Sequence, residues 1–141
     1  LLQANQADAL VVHCSDPRFQ AAFREFVAGE LQVLNPVPII IPGGIHELVS
    51  PVRIKAARQL WQQLEFMISA GKIRRVIIIN HEGCQWYAKW NALVRTRVSE
   101  DIVNHLLAAA QKLLERRLNL SVETYYAKIE NDGVVFSRLN A

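Results

Sequence analysis

Arg75-Val76-Ile77-Ile78-Ile79-Asn80-His81-Glu82-Gly83-Cys84 decides how this chain folds. Arg75 to Ile79 reads as a strand. Its apolar run does not alternate with polar residues, which suits a strand covered on both faces in a parallel sheet. The run ends at a histidine, a glycine and one of the chain's two cysteines. The other cysteine follows a similar run: Ala9 to His13 reads as a strand and leads into Cys14-Ser15-Asp16-Pro17-Arg18. If these two strands are parallel neighbours, Cys14, His81 and Cys84 meet at the carboxyl edge of one sheet. Open α/β folds place their sites there.

The rest of the chain supplies the helices and remaining strands. Phe19, Ala22, Phe23, Phe26 and Val27 recur at helical spacing, with Pro17 in the first turn, Asp16 as a candidate N-cap and Gly29 as the stop. Val37 to Ile41 is a second strand and Gly43-Gly44 a turn. Ser50-Pro51 opens a second helix, with Ile54, Ala57, Leu60, Trp61, Leu64 and Ile68 on its inner face and Gly71 at its end. Gln85 to Arg97 has no clear period and reads as loop or broken helix. Ser99 caps a third helix carrying Ile102, Leu106, Ala109, Ala110, Leu113 and Leu114. Val122 to Ile129 is a strand. Asn131-Asp132-Gly133 turns it into a short return strand, Val134 to Phe136. The order β-α-β-α-β-α-β-β predicts an α/β fold: a mainly parallel Rossmann-like sheet flanked by helices, with a C-terminal antiparallel hairpin.

The 141 residues make one domain, 1–141, with a core of useful size. The net charge of +3 is mild, and the only adjacent basic pairs are Arg74-Arg75 and Arg116-Arg117. This argues against a nucleic-acid surface. No apolar run approaches the roughly 20 residues that span a membrane. Two cysteines do not make a disulfide framework, so a reducing, cytoplasmic setting is expected.

Two thiolates and a neutral imidazole cancel the charge of a zinc ion. Three protein ligands leave a fourth position for water, as in catalytic zinc sites, where the pKa of that water falls to about 7. Asp16, two residues past Cys14, could accept a hydrogen bond from the water. Arg18 could hold Asp16 ionised through its fork of donors. If Arg18 lets go, Asp16 becomes a fourth ligand and the site closes. Plainer roles stand beside these. A lone buried cysteine is often just a small hydrophobe, and Asp16 could serve only as a helix cap. His13 should point away as a packed core residue. His46 is either a proton shuttle or a loop or capping group. Glu82 suits a solvated loop, and Trp86, Tyr87 and Trp90 suit a pocket wall or a dimer surface equally. A tyrosine-phosphatase loop needs arginine six positions after its cysteine, where this chain has Gln20.

Cys-x-Asp-x-Arg followed, after a β-α-β unit, by His-x-x-Cys resembles the zinc signature of the β-class carbonic anhydrases. Gly43-Gly44 and the closing hairpin resemble that family as well, so the likeness spans nearly the whole of a short, divergent chain. It implies Cys14, His81 and Cys84 as zinc ligands and Asp16 with Arg18 as a catalytic dyad. It also implies reversible hydration of carbon dioxide to bicarbonate in a homo-oligomer, a homodimer or larger. The chain departs from the family at Ile40-Ile41-Pro42, where a polar stretch is usual, and at Gln85, where glycine is usual. Two alternatives follow: hydrolysis of another small electrophile such as carbon disulfide or carbonyl sulfide, or a non-catalytic zinc-binding regulatory homologue.

Overall fold

A computed structural model describes residues 6–48, 53–94 and 100–139. Five strands form one sheet in the order β2-β1-β3-β4-β5. They are β1 (Ala9–His13), β2 (Pro36–Ile40), β3 (Arg75–His81), β4 (Ser121–Glu130) and β5 (Gly133–Arg138). The first four are parallel, and β5 returns antiparallel along β4 after a turn in which Asn131 and Asp132 take positive φ. The mainly parallel sheet with its terminal hairpin is the architecture read from the sequence.

Both faces of β1 and β3 are covered, which explains their unbroken apolar runs. One face, with Leu10, Val12, Val76 and Ile78, packs on Leu60 and Leu64 of α2 (Ile54–Ala70) and on Leu107, Ala110 and Leu114 of α4 (Glu100–Leu118). The other, with Val11, Ile77 and Ile79, packs on Phe19, Phe23 and Phe26 of the α1 region (α1, Gln20–Glu25). Each large aliphatic side chain so buried contributes about 1.5–3 kcal/mol.

The helices differ from the sequence reading in phase and extent. Helix α1 begins only at Gln20, because Asp16-Pro17-Arg18 is held in a turn of its own. It ends in a π-helical turn, Phe26–Glu30, which takes in Gly29 instead of stopping there. In α2, Ile54 is 65% exposed and does not join the inner face, whereas Trp61 and Ile68 pack against the core. In α4, Leu107 fills the core position and Ala109 faces solvent. Gln85–Val94 is a true helix, α3, not a loop. The Ser50-Pro51 and Ser99 caps lie outside the described residues, as do the side chains of Trp90, Ile102, Leu106 and Leu113. Among the described residues, no helix is long and apolar enough to cross a membrane.

Strand β2 is an edge. Its Ile41 amide donates to His13 O at 3.2 Å, so by strand alternation the amides of Val37 and Ile39 also face β1. Pro36 and Pro38 therefore occupy positions whose N–H would point outward.

Candidate metal centre

Strands β1 and β3 pair in parallel, with His13 opposite Ile79, so both chains leave the sheet at the same edge. Cys14 follows β1 directly. His81 is the last residue of β3, and Cys84 precedes α3. The three side chains are buried, and their ligand atoms all lie within 4.8 Å of one another. The two sulfurs are 3.9 Å apart. Thiolates at about 2.3 Å from a tetrahedral zinc would stand about 3.8 Å apart, so the sulfurs are already spaced for the ion.

The imidazole gives an independent reason to place a metal here. His81 Nδ1 lies 2.7 Å from Glu82 O, and since a carbonyl only accepts, Nδ1 carries the proton. Nε2 then offers a bare lone pair. It is buried, with no partner in good hydrogen-bond geometry, and the Cys14 thiol is its close polar neighbour. A buried polar atom left unpaired is costly, and a cation among two thiols removes that cost. Phe19, with its ring centroid 4.5 Å from that of His81, fixes the ring plane.

Electrostatics at the thiols follow from their closeness. The hydrogen bond from Cys84 pulls the Cys14 pKa down, helped by His81 and by the Gly43 amide, against the effect of burial. The Cys14 sulfur and burial push Cys84 up. Burial disfavours charge on His81, but its contacts with Cys14 and Glu82 O outweigh this and leave its pKa raised. The Gly43 N–H donates to Cys14 Sγ at 3.3 Å.

Asp16 and Arg18 form a separate tight unit beside this cluster. Asp16 Oδ1 accepts from the Arg18 backbone N–H at 2.9 Å and from Nε at 3.2 Å, and Oδ2 accepts from Nη2 at 2.8 Å. The Arg18 side chain holds the Asp16 carboxyl below the ordinary carboxylate range. Asp16 is thus turned toward Arg18 and does not cap α1. Arg18 Nη2 also donates to Gly83 O at 2.9 Å, which ties the Cys14 segment to the His81–Cys84 loop. Gln20 does a related job that the sequence reading missed. Its Nε2 donates to Cys14 O at 2.9 Å and to Asp16 O at 2.7 Å. A glutamine at the start of the helix after Cys14-x-Asp16 was the available signal.

Cys14, Asp16, Arg18, Pro42, Trp86 and Lys89 help line a surface cavity of about 510 Å³. The remaining candidates find structural roles. His13 is buried with its ring 4.6 Å from Phe23, and burial lowers its pKa. Glu82 Oε1 accepts from the Ile129 amide at 2.6 Å, so this carboxylate ties the loop to β4 and does not stand free in solvent. His46 is buried against Tyr87 under the glycine turn. Trp86 lines the cavity, with Lys89 and Arg53 over its ring, while Tyr87 donates to Gly43 O at 2.5 Å.

Two tetrameric β-carbonic anhydrases from the filamentous ascomycete Sordaria macrospora share this fold. The match has a TM-score of 0.51 at 14% identity and covers 96% of this chain and 82% of that one. A β-carbonic anhydrase of the fungal pathogen Aspergillus fumigatus matches with a TM-score of 0.51 at 15% identity, over 94% of this chain and 76% of its own. No protein-family profile matches the sequence, and no curated protein matches it. The chain therefore has a divergent β-carbonic-anhydrase-like fold with a Cys-His-Cys group that could hold a metal.

Proposed function

We propose that this protein is a zinc-dependent lyase of carbonic-anhydrase type, converting carbon dioxide and water to bicarbonate and a proton. The observation that carries the reading is the bare, buried Nε2 of His81 facing two thiols at metal spacing. Cys14, His81 and Cys84 would hold the ion. Zinc bound there supplies a Lewis acid that makes water acidic enough to react near neutral pH.

The chain's own residues do the rest. Asp16 stays ionised because Arg18 occupies both of its oxygens. Asp16 still has lone pairs to accept a hydrogen bond from the attacking water, and so aims that water at the carbon of carbon dioxide. Arg18 holds Asp16 away from the ligand position and, through Gly83 O, keeps the two ligand segments together. Pro42 and Trp86 give the mouth an apolar wall that suits a small uncharged electrophile. The same wall favours a second reading, hydrolysis of a linear sulfur-containing relative of carbon dioxide.

We also propose that the protein works as a homo-oligomer, a reading supported by the tetrameric state of the Sordaria macrospora enzymes. Metal analysis with stopped-flow carbon dioxide hydration tests the function. One zinc per chain with hydration is expected. One zinc with no hydration at neutral or alkaline pH refutes the carbon dioxide assignment, and carbonyl sulfide or carbon disulfide turnover in its place selects the second reading. No metal refutes both.

A further inference from the structure

The glycine turn after β2 is gripped by the first residues of α3, and the grip reaches the metal centre. Gly43 has φ of +78°, and its N–H points at Cys14 Sγ, 3.3 Å away. Its carbonyl accepts from Tyr87 Oη at 2.5 Å. Its open face is filled by Trp86: a Cβ built on Gly43 would fall 2.5 Å from Trp86 Cδ1 and 3.4 Å from the Tyr87 ring. Tyr87 Oη in turn contacts His46 Nδ1, which also lies 3.3 Å from Gly43 O. Only one arrangement of protons satisfies all three groups. His46 Nδ1–H donates to Tyr87 Oη, and Tyr87 O–H donates to the carbonyl. The reverse would set an oxygen lone pair against the Gly43 carbonyl at 2.5 Å.

We infer that Tyr87 is a positioning residue for the metal centre: with Trp86 it fixes the Gly43 turn so that the Gly43 N–H stays on the Cys14 sulfur and sets how strongly that sulfur donates to the metal. An N–H donor draws electron density from a thiolate. A hydroxyl that holds the donor in place therefore acts on the metal without touching it. The Cys84 ligand directly precedes α3, so one short segment, Cys84 to Tyr87, both supplies a ligand and restrains the donor to the opposite one. This inference rests on the metal reading above, and the test separates the two.

Wild type and Tyr87→Phe are loaded with cobalt(II), whose thiolate charge-transfer absorption reports electron density on sulfur. Wild type should bind one cobalt per chain. Tyr87→Phe, which keeps the ring, should also bind one, with its charge-transfer band moved to lower energy. An unmoved band overturns the inference, even if the urea midpoint falls, because that is the result of packing alone. Should Tyr87→Phe fail to fold, His46→Leu loosens the same hydroxyl from its far side. It must move the band in the same direction, and a stationary band overturns the inference. Failure of wild type to bind either metal overturns the metal reading, and this inference with it.

Discussion

Replacing Gly44 with alanine measures how rigidly the sheet edge holds the first candidate ligand. Gly44 has φ of +58°, where a side chain costs roughly 1–2 kcal/mol. The new methyl would also stand 3.3 Å from Cys14 N and 3.3 Å from His13 C. Both are backbone atoms at the end of β1, a strand paired on both sides, so neither yields as a flexible side chain would. Crowding of this kind adds roughly 1–3 kcal/mol. The sum, about 2–5 kcal/mol, corresponds for a chain of this size to a melting temperature lower by roughly 7–17 °C. Thermal unfolding in the presence of a chelator reads it without any contribution from bound metal. Gly29→Ala is the control, since a Cβ there meets nothing within 4 Å. A Gly44→Ala protein melting within about 2 °C of wild type, by the scale of a few degrees per kcal/mol, would show that the strand end gives way and that the ligand is not rigidly placed.

Cys84→Ser should lose zinc in a stoichiometry assay, whereas Asp16→Asn should keep it and lose roughly 100-fold or more in hydration rate; zinc loss in Asp16→Asn would make Asp16 a ligand. Glu123 is held below its ordinary pKa mainly by the Arg75 guanidinium, which donates to it from Nε at 2.5 Å and from Nη2 at 2.9 Å. A depressed carboxylate stabilises the fold above its unfolded pKa near 4.5 and loses that contribution as pH falls through the folded value. Denaturation of Glu123→Gln should therefore show a flatter acid limb than wild type, and parallel limbs would remove this pair from the account. Phe23 is fully buried with its ring 4.6 Å from His13 and 6.4 Å from His81. Phe23→Ala should cost about 3–5 kcal/mol in urea unfolding, and a cost below about 1 kcal/mol would mean that this face repacks freely.

The strands were legible because each carries its own signal. A short, β-branched, unbroken apolar run such as Val76 to Ile79 suits a strand buried on both faces, and the sheet provides that burial. Cys14, His81 and Cys84 were legible for the same reason, since each sits where such a run stops. Helix α3 was not legible. Its first large apolar residues, Trp86 and Tyr87, are spent on the glycine turn and the cavity wall and do not open a helical stripe on the core. The start of α1 was misplaced because Asp16 binds the Arg18 amide, a local turn that competes with the cap suggested by Asp-Pro. The Tyr87–His46 contact joins residues 41 positions apart, and no local pattern announces it.

The prolines of β2 give the sheet a direction of growth. A bare strand edge is an invitation to any other extended chain, in a nascent polypeptide as much as in a finished assembly. At Pro36 and Pro38 that invitation is narrowed: two of the three outward positions have no hydrogen to offer, and an incoming strand would find a broken ladder there. The β5 side carries no proline from Gly133 to Arg138. Copies of this chain that join by continuing the sheet meet a full row of donors only along the hairpin, and misfolded chains seeking a template meet the same difference. The sheet is polar in the polymer chemist's sense, with one hindered end and one open end.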